Sequence, residues 1–128
     1  MQKKIRMGIV GAGLWGHSHA GLYQEHPHAE TVAVCDIDLE KAKALAAKYH
    51  IPQVFSDYQQ MLSHAACDAV AIVTPDFLHA DIAVACAQAG KDMIIEKPLA
   101  TTREDVMRIV QAAETHNVRV MVALHNRW

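Results

Sequence analysis

Hydrophobic positions along the chain switch repeatedly between two periods. Short β-branched runs alternate with stretches in which apolar residues recur every three to four positions. Ile5–Val10 reads as a strand, and a helix is expected over residues 13–24. Residues 30–35, ETVAVC, form the next predicted strand. A helix over Leu39–Tyr49 follows, with Ala42, Leu45, Ala46 and Tyr49 on one face and Asp38 placed as its cap. A short strand at Gln53–Phe55 and a short helix over residues 57–62 lead to residues 68–73, DAVAIV. That run is nearly all apolar, as a parallel strand covered on both faces requires.

The second half repeats the pattern. Residues 76–89 predict a helix with Leu78, Ile82, Ala85, Cys86 and Ala89 inward, and Gly90 stands where a left-handed residue ends a helix. Residues 91–95 predict a strand. Thr101 and Glu104 have capping-box spacing ahead of a helix whose inward face carries Val106, Ile109, Val110 and Ala113. Residues 119–124, RVMVAL, close the series. Strands alternating with helices imply right-handed βαβ units, hence a doubly wound, mainly parallel α/β domain spanning residues 1–128.

Composition narrows the function. Of 128 residues, 52% are hydrophobic and 20% charged, which is ordinary for a folded domain, and the net charge of −2 gives no electrostatic reason to expect nucleic acid or an anionic membrane. No apolar run is long enough to span a bilayer. Lys3, Lys4 and Arg6 precede apolar residues as in a signal peptide, but glycines break the run, so it reads as a first strand. Cys35, Cys67 and Cys86 are odd in number and widely spaced, which fits reduced side chains in a cytoplasmic protein. The pairs His17/His19 and His26/His28 lack helical metal-ligand spacing, so no metal is expected.

The chemistry concentrates where predicted strands end. Gly11-Ala12-Gly13-Leu14-Trp15-Gly16 is a G-x-G-x-x-G between a strand and a helix. In such a loop the first glycine makes the turn, the second admits a diphosphate to the backbone, and the third lets helix and strand pack closely. The phosphates would sit on the helix amino terminus. Alone, the motif is also compatible with a ligand-free tight turn. Asp36, twenty residues after Gly16, closes the second strand, where a carboxylate can accept hydrogen bonds from ribose hydroxyls. It would repel a 2′-phosphate, and no arginine follows closely, so NAD is favoured over NADP. Asp36 could instead be a second helix cap beside Asp38. Thr74-Pro75 follows the next strand, either as part of the ligand edge or as a pre-helix turn. Glu96-Lys97-Pro98 stands in the equivalent place one strand later. Lys97 there could bond a hydroxyl being oxidised, with Glu96 orienting it, or the segment could be a solvated turn.

The stretches GIVGAGLWGHSHA, VAVCDID, AVAIVTPDFLHADIAVACAQAGKDMIIEKPLATT and VMVALHNRW together resemble the amino-terminal domain of the glucose–fructose oxidoreductase and inositol dehydrogenase (Gfo/Idh/MocA) family over essentially the whole chain. That resemblance implies hydride transfer between NAD and a sugar, inositol or related polyol, with Lys97 as catalytic or substrate-positioning residue. It implies cofactor contacts from Gly11, Gly13, Leu14, Trp15, Gly16, Asp36, Thr74, Pro75, Glu96, Lys97 and the segment near His79, and places Asn126 and Arg127 near the active site. Relatives continue into an α+β substrate domain that supplies the groups for proton transfer. The expectation is therefore a chain that binds dinucleotide with little or no turnover, since a protonated lysine cannot take a proton from an alcohol. Self-association through apolar surface near the last strand is a further expectation, open to light scattering. A stand-alone dinucleotide-binding or interaction module and an S-adenosylmethionine site on the same architecture remain open alternatives.

Overall fold

The computed structural model describes residues 3–123. Its elements are β1 (Ile5–Val10), α1 (Leu14–Glu25), β2 (Ala29–Cys35), α2 (Leu39–Tyr49), β3 (Gln53–Phe55), α3 (Tyr58–His64), β4 (Ala69–Ile72), α4 (His79–Gln88), β5 (Asp92–Glu96), α5 (Arg103–His116) and β6 (Val120–Ala123). The strands form one sheet in the order β3-β2-β1-β4-β5-β6. All neighbours run parallel, so the doubly wound α/β expectation is met. The chain moves outward from β1 to β3, returns to lay β4 beside β1, and moves outward the other way. The direction of winding reverses between β1 and β4, which opens a crevice at their carboxyl ends.

Strand alternation sorts the core into two layers. Met7, Ile9, Val34 and Ala71 bury against Ala20 of α1 and Ala42, Leu45 and Ala46 of α2. Val10, Ala33, Cys35, Val70, Ile72, Met93 and Ile95 point the opposite way, against α3, α4 and α5. The first layer stops short of the sheet edge, where Met121 on β6 is 63% exposed. Burial pushes the Cys35 and Cys86 thiols up to about 12, so both behave as small apolar groups.

Several local expectations need correction. The helix predicted over residues 76–89 begins as a 3₁₀ turn, Asp76–Leu78, before α4. The Leu78 amide donates to the Pro75 carbonyl three residues back, which tightens the chain leaving the proline. Ala89 is exposed rather than inward. Gly90 ends this helix at φ +74° as expected. The cap of α5 is Thr102, whose hydroxyl accepts from the Asp105 amide at 3.1 Å, one position later than the Thr101 box. On this helix Ile109 is buried as expected, whereas Val110 is exposed. Strand β5 starts and ends one residue later than expected, because Glu96 pairs with Ala123. The predicted roles of Leu124, Asn126 and Arg127 lie outside the described residues.

At the amino edge of the sheet, Arg6 and Asp68 clamp β1 to β4 with Nη2 to Oδ1 at 2.9 Å. The Arg6 guanidinium and backbone amide hold the Asp68 carboxyl down to about 2. A carboxyl depressed on folding contributes stability above its unfolded value and loses it as pH falls through the folded value. The expected result is that Asp68→Asn flattens the stability–pH curve between about pH 4 and 2. Thermal melts check this, and the effect will be modest because the pair is over one-third exposed and screened.

Candidate functional site

The β1–α1 connection is shaped by three glycines with different reasons for lacking a side chain. Gly11 has φ +114°, and a Cβ there would stand 2.8 Å from the Val73 backbone. A Cβ on Gly16 would strike the Gly11 carbonyl oxygen. Both are required by the protein's own packing. Gly13 is not: a Cβ there would meet nothing within 4 Å among the described residues. It opens onto space directly before α1, at extended φ and ψ that alanine can adopt. Helix α1 also begins without a side-chain cap and without an acid in its first turn, whereas Asp38, Asp57 and Thr102 cap α2, α3 and α5. An anion at this helix end would therefore meet no capping side chain and no first-turn carboxylate among the described residues.

Asp36 follows β2 at the same edge. Its Oδ2 accepts from the Ala12 amide and its Oδ1 from the Asp38 amide, each at 2.8 Å. The carboxylate thus holds the glycine loop in place and keeps further lone pairs for a diol. Asp38, not Asp36, caps α2, accepting from Glu40 and Lys41. Next to Asp36, Ile37 is 90% exposed on the loop that follows β2. Leu14, Trp15 and Phe77 also present apolar surface along this edge.

Thr74 and Pro75 leave β4 on the far side of the crevice, and Lys97 and Pro98 leave β5 beside them. The Lys97–Pro98 peptide is cis. Lys97 is exposed, while Glu96 is 6% exposed. His79 does not reach the crevice. Its ring is 1% exposed, with Nδ1 2.9 Å from the Pro98 carbonyl oxygen and Nε2 3.0 Å from that of Thr74. His79, in the segment that the family resemblance assigns to the cofactor domain, braces the two loops that leave β4 and β5.

Sequence reasoning missed the partners of Glu96. His19 on α1 places Nε2 2.7 Å from Glu96 Oε1 and Nδ1 2.7 Å from the Tyr23 hydroxyl. Burial, reinforced by the Glu96 charge, pushes the Tyr23 phenol above its usual range, so it keeps its proton. The signal available in sequence was a histidine and a tyrosine one helical turn apart, but nothing local points from them to residue 96. Of the histidines in the two spaced pairs, His17 meets the Tyr49 ring edge-on, and His26 Nδ1 accepts from the His28 amide. Among the described residues no three His, Cys, Asp or Glu side chains gather as a metal site, and no helix is long and apolar enough to cross a membrane.

Comparison with known proteins gives the family. Residues 5–124 match the GFO_IDH_MocA family, described as an oxidoreductase family with an NAD-binding Rossmann fold. Inositol 2-dehydrogenase 1 of Saccharopolyspora erythraea is 40% identical over 108 residues, covering 83% of this chain and 32% of that protein. The WlbA dehydrogenase of Bordetella pertussis, solved with NADH and UDP-GlcNAcA, superposes with a TM-score of 0.93 at 38% identity, over 98% of this chain and 38% of that one. The scyllo-inositol dehydrogenase of Lactobacillus casei, solved with NAD(H) and scyllo-inositol, gives a TM-score of 0.91 at 29% identity, over 98% and 37%. The chain thus spans about a third of the length of the curated relatives it matches.

Proposed function

The chain belongs to the Gfo/Idh/MocA oxidoreductase family, and from that premise we propose that its 128 residues form one dinucleotide-binding domain of a dehydrogenase acting on a sugar, inositol or related polyol. The observation that carries the reading is the open position at Gly13, before an uncapped helix and beside the Asp36 carboxylate. A glycine that internal packing does not require marks the place where something else approaches the backbone. The amides of α1 would hold the diphosphate, and Asp36 would accept from the adenosine ribose while repelling a 2′-phosphate. Ile37 offers an apolar surface to the adjoining base.

When bound, NAD supplies the hydride acceptor, or NADH the donor. Lys97, exposed after β5, would bond the substrate oxygen and favour its alkoxide character, or polarise a carbonyl in the reverse direction. Thr74 and Pro75 would border the same space. The 128 residues alone are proposed to bind dinucleotide without measurable polyol oxidation.

Calorimetric titration with NADH, NADPH and S-adenosylmethionine tests the cofactor choice. Asp36→Ala removes both the ribose acceptor and the anchor of Ala12, so NADH should weaken on the order of 10- to 100-fold, as for loss of a charged hydrogen bond. NADPH should not gain, because the loop itself loosens. Tighter binding of NADPH than NADH by the unaltered chain would overturn the choice of NAD.

A further inference from the structure

Building on the dinucleotide reading of the glycine loop, we infer that His19 is a positioning residue that ties the phosphate-facing helix to the Lys97 corner. His19 lies in the second turn of α1, roughly 7.5 Å along the axis from Leu14 at 1.5 Å per residue. It reaches Glu96 across 77 positions of sequence at 2.7 Å. An ionised carboxylate only accepts, so Nε2 carries the hydrogen and Nδ1 accepts from the Tyr23 hydroxyl. The Tyr23 hydroxyl then donates to His19 and His19 donates to Glu96, so that His19 uses both ring nitrogens.

The placement of this bond distinguishes it from surface pairing. The His19 and Glu96 side chains are only 11% and 8% exposed, so solvent screens the contact little. Glu96 is the last residue of β5 and Lys97 is the next residue. Two histidines therefore fix this corner from different sides. His79 holds the Pro98 carbonyl from α4, and His19 holds the Glu96 carboxylate from α1. Of the two helices that carry these histidines, α1 is the one whose amino end follows the glycine loop, where the diphosphate is proposed to sit. His19 touches no ligand in this arrangement, yet it sets how the lysine corner stands relative to a bound cofactor.

Hydrogen–deuterium exchange on the chain as it stands tests the tie. His19→Phe fills the ring volume without hydrogen bonds and is expected to speed exchange over residues 95–100 at least tenfold, with α5 within twofold, as for a local opening. His19→Gln can donate to Glu96 and accept from Tyr23, and should restore protection where mere packing would not. NADH should slow exchange over residues 95–100 in the unaltered chain and not in His19→Phe. Should His19→Phe fail to fold, Tyr23→Phe removes only the hydroxyl at Nδ1, and a smaller acceleration of the same segment is expected. Unchanged exchange over residues 95–100 in whichever variant folds, or failure of His19→Gln to restore it, would overturn the inference. If exchange responds as expected but the unaltered chain does not bind NADH, the tie stands and the cofactor reading falls.

Discussion

Gly13→Ala is expected to weaken NADH binding by roughly 10²-fold, a loss of about 2.7 kcal/mol, while barely moving the melting temperature. The two effects separate because the added methyl meets none of the described residues. Gly13 has ordinary extended backbone angles, so alanine there introduces no strain. The methyl would instead occupy the volume through which a diphosphate approaches the α1 amides. Its neighbours supply the contrast. Gly16→Ala would drive a methyl into the Gly11 carbonyl, and Gly11→Ala would carry a side chain at φ +114° against Val73. Those two substitutions should unfold or distort the loop before binding can be measured. Calorimetry paired with thermal melts on the three variants distinguishes them. Full NADH affinity in Gly13→Ala would mean that the open position serves no ligand.

Lys97→Ala should show the opposite division. Lys97 is exposed at the end of β5 and among the described residues makes no ion pair, so its loss should leave folding and NADH affinity within about twofold, as for ordinary surface positions. In a fusion of this chain to the remainder of the Saccharopolyspora erythraea inositol 2-dehydrogenase, turnover of inositol should fall by roughly 10²–10⁴-fold, the usual contribution of a positioned acid or base. Steady-state rates with saturating NAD decide the matter. Undiminished turnover would return Lys97 to the role of a solvated turn residue.

The elements were most legible where short-range rules act alone. Helix α2 and strand β3 have the boundaries that periodicity and the Asp38 cap predict, since the cap bonds residues two and three positions away. Errors arose where a choice depended on one side-chain bond or on a sheet partner. Two adjacent threonines stand before α5, and the hydroxyl that caps it is that of Thr102, which accepts from the Asp105 amide. The helix expected over residues 76–89 has its first residues in a tighter turn, Asp76–Leu78, before α4 begins.

The candidate site was legible in part for the same reason. The glycine loop and Asp36 sit at a fixed spacing within one βαβ unit, and the Ala12–Asp36 bond joins its two ends. The separate roles of Gly11, Gly13 and Gly16 depend on what lies across the loop, including Val73, and sequence spacing carries no record of that. His19 was visible only as one of two spaced histidines. Its partner arrives through the parallel order of the sheet, which brings the end of β5 beside α1 from far along the chain.

Amide resonances recorded with and without NADH test the central claim most directly. If the amino end of α1 and Asp36 cradle a dinucleotide, saturating NADH will move the amides of Gly13, Leu14, Trp15 and Ile37 most. Residues at the opposite end of the sheet, such as Lys4 and Asp92, will stay in place. Shifts confined to that opposite end, or none at saturating NADH, would contradict the claim.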